Sequence, residues 1–157
     1  HMLDGFARHG LFDLKSMLPE ILRWTVINTI EDTGIVLGNA IKEAVGDKKG
    51  IRRYGSCILP MDETLVLCAV DLSGRPYLVF RWRIYDRPRG IYGYGDGEGI
   101  FLCHFLYRRM NLHIRVLSGG NNHHMIEAMF KAFAKALDQA TVIDPRITDI
   151  LSTKGSL

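Results

Sequence analysis

The sequence predicts a single α+β domain, and three observations predict it. The chain has 157 residues, of which 47% are hydrophobic, which suits one domain with one buried core. Apolar side chains recur at helical spacing over residues 33–45 and 123–140. Shorter segments rich in β-branched and large apolar residues are typical of strands: residues 56–60, 64–71, 76–82 and 111–117.

Turn and capping residues bound these elements. Gly46-Asp47 closes the first predicted helix. Ser73-Gly74-Arg75-Pro76 predicts a tight turn between the second and third strands. Asn121 or Asn122 can cap the second helix, because the side-chain oxygen of asparagine accepts from exposed N–H groups of a first turn. Asp144-Pro145 follows that helix after a short extension.

A weak internal repeat indicates two related halves. Thr29-Ile30-Glu31 enters the first helix much as Met125-Ile126-Glu127 enters the second. We therefore expect one domain made of two pseudo-repeats, about residues 1–80 and 81–157.

Composition limits the compartment and the partners. Cys57, Cys68 and Cys103 are an odd number of cysteines in apolar or strand-like contexts, which fits a reducing cytosol better than a disulfide framework. No apolar run approaches the roughly 18 residues needed to cross a bilayer, and no signal peptide is visible. A soluble cytoplasmic protein is expected. The net charge of +3 is too small to demand a nucleic-acid partner.

His123, His124 and Glu127 form the pattern with the clearest chemical meaning. Glu127 lies one helical turn beyond the histidines, so the side chains can converge on a metal ion. The two rings point about 100° apart around the helix axis, so they can serve two different ions. Alternatively, both histidines are simply solvated residues of the first turn. One helix cannot complete either coordination sphere.

Several other motifs, in a fixed order, extend the pattern over most of the chain. Together with the histidine motif they resemble the imidazoleglycerol-phosphate dehydratase family of histidine biosynthesis. The matching stretches are His1-Met2-Leu3-Asp4, Ala7-Arg8-His9-Gly10, Glu31-Asp32-Thr33-Gly34, Gly50-Ile51-Arg52-Arg53-Tyr54-Gly55, Pro60-Met61-Asp62-Glu63, Asp71-Leu72-Ser73-Gly74-Arg75-Pro76, His123-His124-Met125-Ile126-Glu127 and Ser152-Thr153-Lys154-Gly155.

The resemblance implies a fold and an assembly. The fold has two similar halves, each a mainly four-stranded sheet with helices packed on one face, as in the second domain of ribosomal protein S5. The family assembles into a shell of 24 subunits with active sites between subunits. No membrane or nucleic-acid partner is expected.

The resemblance also implies a reaction and its residues. The enzyme is a hydro-lyase that removes water from imidazole glycerol phosphate to give imidazole acetol phosphate, with two manganese ions per site. Glu31 and Glu127 are the carboxylates available for proton transfer. The metal candidates are His1, Glu31, His123, His124 and Glu127, and the substrate phosphate candidates are Arg53, Arg75, Ser152 and Lys154.

The chain departs from the family pattern in four places. The family has a few tens of residues, including a strand, before the motif that begins at His1. Gly120 stands where many members have a lysine. Residues 16–28 and 81–109 do not resemble the family, and Ile27 and Asn28 occupy the positions of the first histidine pair. With Ile27 and Asn28 at these positions, Glu31 would lack the two histidines that accompany it in the family motif.

Residues 16–28 and 81–109 form two blocks, each as long as the family segment that it replaces. The equal lengths suggest compensated frameshifts. In a shifted frame, codons for residues 20–29 can encode the family pattern GDxxVDxHHT, provided that one base is removed. Codons for residues 93–103 can likewise encode DTEMVKEFFYA, an amphipathic helix. The hypothesis is that both blocks derive from an ordinary family gene.

Two alternatives remain open. A shell-forming homologue with impaired catalysis would keep the fold and lose the chemistry. A nucleic-acid-binding module is suggested by cations interleaved with aromatic rings over residues 80–85 and 107–109.

Overall fold

The computed structural model describes residues 1–16, 26–82 and 110–157. For residues 26–31 it describes the backbone alone. Three helices and four strands lie in these ranges: α1 Met2–Gly10, α2 Val26–Val45, β1 Tyr54–Met61, β2 Thr64–Asp71, β3 Tyr77–Arg81, β4 Asn111–Ser118 and α3 Asn122–Thr141. Among them, no helix has the length and apolarity needed to cross a membrane.

The strands form one mixed sheet in the order β1-β2-β4-β3. β1 pairs antiparallel with β2, and β2 pairs antiparallel with β4. β3 runs parallel to β4, with Tyr77 opposite Asn111. The α+β prediction is confirmed. The division into two similar halves stays a prediction, because residues 17–25 and 83–109 lie outside the described residues.

The core lies between one face of the sheet and α3. Alternate residues of β2, Val66, Cys68 and Val70, are buried, as expected for a strand with one covered face. Leu112 and Ile114 of β4 continue the same apolar layer. α3 covers it with Met125, Met129, Phe133 and Leu137, all nearly inaccessible to solvent.

A stripe of alanines lets β1 approach α3 closely. Ala128, Ala132, Ala136 and Ala140 recur every four residues and are fully buried. Gly55 of β1 lies against the backbone of Ala136 and Ala140, and a Cβ atom at that position would overlap the carbonyl of Ala136. Glycine is therefore required at residue 55 by close backbone approach.

The predicted elements are confirmed with small shifts at their ends, except that α1 was not predicted and α2 begins at Val26 rather than residue 33. α1 is nine residues long and contains Gly5, so its intrinsic tendency to form a helix is low. Packing of Phe6 on Phe133, with ring centroids 5.4 Å apart, stabilises it instead. This contact places His1 at the beginning of α3.

Candidate active site

The beginning of α3 is fixed by its cap. The side chain of Asn121 accepts hydrogen bonds from the N–H groups of His123 at 2.8 Å and His124 at 3.3 Å. Asn121 itself has extended backbone geometry, as an N-cap residue should. The cap holds both histidines in the first turn, so their rings leave the helix in different directions and meet different neighbours.

His123 belongs to the first group of potential ligands, with His1 and Glu127. The Nε2 atoms of His1 and His123 lie 3.4 and 3.5 Å from Oε2 of Glu127. The two rings are stacked, with centroids 5.8 Å apart and planes 9° apart. All three ligand atoms lie within 4.8 Å of one another. One cation can therefore contact two imidazole nitrogens and a carboxylate oxygen here.

Lys131 holds the other oxygen of Glu127. Its Nζ atom donates to Oε1 at 2.8 Å, one turn further along α3. This hydrogen bond is the main reason why the pKa of Glu127 is lowered, and the nearby imidazoles lower it further. Glu127 is only 15% exposed. The result is an ionised carboxylate with one oxygen occupied and the other directed at the histidines.

His124 belongs to a second group, with Asp62 and Glu63 of the turn between β1 and β2. Its Nδ1 atom lies 3.1 Å from Oε2 of Glu63 and 3.9 Å from Oδ2 of Asp62. The bond to His124, with backbone N–H groups including that of Asn121, lowers the pKa of Glu63 to about 2. The two histidines thus enter separate groups, as their divergence around the helix predicts.

Sequence reasoning assigned no role to Asp62 and Glu63. The available signal was their place in a family motif, Pro60-Met61-Asp62-Glu63, between two predicted strands. A short turn between paired strands carries its side chains to one end of the sheet. Whether the first or the last turn of α3 lies at that end depends on how α3 crosses the sheet. The periodicity of the sequence does not contain this information.

The structure gives no geometry for the predicted contribution of the first half. Glu31 lies in α2, but its side chain is outside the described set, as are those of Ile27 and Asn28. The blocks 16–28 and 81–109 lie mostly outside the described residues, so the frameshift hypothesis stays a prediction.

Arg53, a candidate for the substrate phosphate, is buried at 8% exposure. Its Nε and Nη2 atoms donate to the two carboxylate oxygens of Asp71 at 2.7 and 3.2 Å, and Nη1 donates to the carbonyl of Leu151 at 2.8 Å. The paired hydrogen bonds to Asp71 raise the pKa of Arg53. Sequence reasoning missed Asp71 as this partner. Arg53 anchors the C-terminal segment next to Ser152.

The other phosphate candidates are more accessible. Arg75 and Lys154 are exposed, and Ser152 is half-buried, with its hydroxyl accepting from the N–H of Lys154 at 3.2 Å. The turn that carries Arg75 is near the same segment, because a Cβ atom on Gly74 would lie 3.5 Å from the carbonyl carbon of Leu157. The fold therefore brings the two chain segments together at one end of the molecule.

The phosphate candidates lie at the opposite end of α3 from His1, His123, His124 and Glu127. The N–H of Arg53 donates to the carbonyl of Ala140, in the last turn of the helix, at 2.9 Å. His123 is in the first turn. Since an α-helix rises about 1.5 Å per residue, the two ends are about 25 Å apart.

Two further contacts involve aromatic side chains. His113 of β4 lies beside the ring of Tyr77, with centroids 6.0 Å apart. Trp82 belongs to the segment that suggested nucleic-acid binding, and its indole N–H donates to the sulfur of Met125 at 3.2 Å. Trp82 is half-buried, with its indole N–H turned toward α3. Most of that segment lies outside the described residues.

Residues 1–137 match the family model described as imidazoleglycerol-phosphate dehydratase. The chain belongs to this family. The dehydratase of Lachnoclostridium phytofermentans is 56% identical over 160 residues, a match that covers 100% of this chain and 80% of that protein. The dehydratase of Acetivibrio thermocellus is 52% identical over 157 residues, with the same coverage.

Solved structures of dehydratases have the same fold. The enzyme from Staphylococcus aureus is 36% identical, with a TM-score of 0.79 over 92% of this chain and 81% of that chain. The enzyme from Pyrococcus furiosus, in complex with (S)-C348, is 34% identical, with a TM-score of 0.77 over 100% and 84% of the two chains. The resemblance seen in the sequence is confirmed, and with it the hydro-lyase class of the dehydratase family.

Proposed function

We propose that this chain is a manganese-dependent dehydratase that converts imidazole glycerol phosphate to imidazole acetol phosphate in histidine biosynthesis. The convergence of His1 and His123 on one oxygen of Glu127 carries the proposal. The same three residues stand in two of the motifs that resemble the family. The relatives bear the name of this activity, which supports the same reaction here.

The donor atoms present fit a metal of the expected type. Imidazole nitrogens suit the later first-row metals, and carboxylate oxygens suit manganese, so the mixed set in the first group admits manganese. The choice of manganese over iron or zinc rests on the family resemblance. His123 and His124 leave α3 in different directions, so that each can serve a different ion, which fits two ions per site. When bound, such ions would supply Lewis-acid stabilisation of an electron-rich substrate ring.

Two carboxylates are available for proton transfer. Glu31 is assigned by its motif alone. Glu127 has a lowered pKa, because Lys131 donates to it, and a carboxylate that releases its proton so readily is a weak base. The geometry therefore favours Glu127 as a ligand for the metal, and Glu31 is the better candidate for moving the substrate proton.

The substrate phosphate requires cations with free N–H groups. Arg75 and Lys154 are exposed, and they can contact a phosphate together with the Ser152 hydroxyl. Most of the charge of Arg53 is offset by Asp71, although one N–H on each terminal nitrogen stays available. We assign Arg53 mainly to holding Leu151, and therefore Ser152, in place.

One chain cannot supply both ends of the site. The substrate consists of an imidazole, three carbons and a phosphate, which is far shorter than the roughly 25 Å of helix between His123 and Ala140. The metal end of one subunit must therefore meet the phosphate end of another. This supports the proposed homo-oligomer, whose family form is a shell of 24 subunits.

Mixing two inactive variants tests the reaction and the shared site together. His123→Ala removes a metal ligand, and Lys154→Ala removes a phosphate contact at the far end of α3. Each alone should lack activity. If sites combine two chains, co-expression in equal amounts should restore about a quarter of the wild-type rate. That share of sites combines the intact metal ligands of a Lys154→Ala chain with the intact phosphate contacts of a His123→Ala chain.

The controls separate the possible failures. Co-expression of His123→Ala with Glu127→Ala, two changes at the same end, should restore nothing. No recovery in the first mixture would contradict the shared site. No turnover by the unaltered chain, despite bound manganese, would contradict the proposed reaction.

Ile27 and Asn28 favour a second candidate, a shell-forming homologue with impaired catalysis. Neither residue can bind manganese as histidine does. Metal analysis of the purified oligomer distinguishes the two candidates, because the impaired homologue should form the oligomer with less than two manganese ions per chain and turn over little substrate.

A further inference from the structure

Glu63 connects the turn between β1 and β2 to the beginning of α3. Its Oε1 atom accepts from the N–H groups of Asn121 at 3.0 Å and Gly120 at 3.4 Å, and from the Thr64 hydroxyl at 3.2 Å. Its Oε2 atom lies 3.1 Å from Nδ1 of His124. Both oxygens are thus engaged by the protein.

The bond to Nδ1 determines which nitrogen of His124 carries the proton. An ionised carboxylate only accepts hydrogen bonds, so Nδ1 must donate. In the neutral ring, Nε2 is then left with its lone pair exposed. Metal ligands of this kind commonly donate their second ring N–H to a carboxylate, which fixes the tautomer and the ring orientation.

We propose that Glu63 is a positioning residue for the metal centre, which holds the His124 ring with Nδ1 protonated and Nε2 free to bind a metal ion. The tautomer does not depend on the proposed function. The effect on metal binding does rest on it.

The competing interpretation is that Glu63, Asp62 and His124 bind a cation directly. The geometry argues against it, because Oε1 of Glu63 already accepts three hydrogen bonds, and Oε2 faces Nδ1 of His124, which that contact occupies. Asp62 is 3.9 Å from the same nitrogen, and its side chain is 75% exposed. None of the described residues donates a hydrogen bond that holds the carboxylate of Asp62 in place.

The substitution Glu63→Gln separates these interpretations. The glutamine oxygen can still accept from the Asn121 N–H, so the loop before α3 is retained. The amide NH₂ then faces His124, where it donates to Nδ1 instead of accepting from it. The ring then favours the tautomer with its proton on Nε2, which disfavours metal binding at that atom. Asp62→Asn is the matched control in the same turn.

Nitrogen-15 NMR of the histidine rings in the metal-free protein reads the tautomer directly. In alkaline solution, where imidazole is neutral, His124 should be protonated at Nδ1 in the wild-type protein and in Asp62→Asn. In Glu63→Gln it should be protonated at Nε2. Assignment by His124→Gln identifies the signal. The proposal is overturned if the wild-type ring is protonated at Nε2, or if Glu63→Gln leaves the tautomer unchanged.

Manganese affinity, measured by electron paramagnetic resonance of free Mn²⁺, gives the second readout. Loss of a group that orients a ligand typically weakens metal binding by about 10- to 100-fold, and we expect this for Glu63→Gln. Asp62→Asn should change affinity less than about threefold. Equal losses in both variants would identify a direct cation site and overturn the proposal. Absence of manganese binding by the wild-type chain would contradict the proposed function, while the tautomer would still decide the role of Glu63.

Discussion

Oε2 of Glu127 lies 3.5 Å from Nε2 of His123, one turn earlier on α3. The spacing of the motif predicts this relationship, but the third member of the group, His1, comes from the other end of the chain. The packing of α1 on α3 brings His1 there. Local helical geometry and one tertiary contact therefore form the group together.

Glu127→Gln should weaken manganese binding by more than about 100-fold, because loss of a ligand costs more than loss of a residue that orients one. The amide retains the size of the carboxylate but not its charge. Manganese titration of the purified oligomer measures the effect. Asp138→Asn, the same chemical change three turns along α3, is the control. Equal manganese affinities for both variants would show that Glu127 is not a metal ligand.

Arg53→Met should reduce the free energy of unfolding by about 2–3 kcal/mol, since it leaves the carboxylate of Asp71 without its partner in a largely buried position. It should also raise the KM for substrate, because the segment that carries Ser152 loses its anchor. Urea denaturation and steady-state kinetics measure the two effects.

Arg52→Met is the matched control for that prediction. Arg52 is 46% exposed and makes one ion pair of 3.6 Å with Asp144, so its loss should cost less than about 1 kcal/mol. If Arg53→Met raised KM without any loss of stability, Arg53 would be a phosphate ligand rather than an anchor.

Gly55→Ala should destabilise the protein by at least about 2 kcal/mol, because the new methyl group overlaps the backbone of Ala136 and separates β1 from α3. Gly5→Ala in α1 is the control, since no atom of the described residues outside its own stretch of helix backbone lies within 4 Å of the added methyl group. It should stabilise by up to about 1 kcal/mol, as alanine does in a helix interior. Thermal denaturation that ranks the two variants in the opposite order would contradict the packing described for β1.

Asp144 should contribute stability that disappears in acid. Hydrogen bonds from Arg146 hold the pKa of this carboxyl well below its usual range. A group with a lowered folded-state pKa stabilises the protein above its unfolded pKa of about 4, and the contribution is lost as pH falls toward the folded value.

Asp144→Asn should therefore lower the melting temperature at neutral pH, and the difference from wild type should narrow below about pH 4. Exposed Asp149, with the substitution Asp149→Asn, serves as the control and should change little at either pH. A difference that widens in acid would show that the ion pair with Arg146 does not stabilise the fold.

An intact mass and a peptide map test the frameshift hypothesis. If residues 16–28 and 81–109 arise from compensated frameshifts in the recorded sequence, the purified protein should give peptides of the family type, including a second pair of histidines before Thr29. Peptides that match residues 16–28 and 81–109 as they stand, or codons incompatible with the shifted frames, would reject it. In that case we expect weak turnover at most.

The sequence by itself predicted α3, most of α2 and the four strands, limited the N-cap of α3 to two asparagines, and predicted the divergence of His123 from His124. These features depend on neighbours within one or two turns, so periodicity and capping residues are sufficient to predict them. The motif at residues 123–127 also indicated metal binding before any contact was known. α1 was missed because Gly5 and its short length give no local signal.

Only the tertiary structure decided the partners across the chain. Glu63 meets His124 because α3 crosses the sheet with its first turn above the turn between β1 and β2. Asp71 binds Arg53 because the two strands are paired in one register, with Tyr54 opposite Asp71. The distance between the metal and phosphate ends follows from the same packing. Side-chain pairs of this kind depend on how whole elements are oriented, and a local pattern does not contain that information.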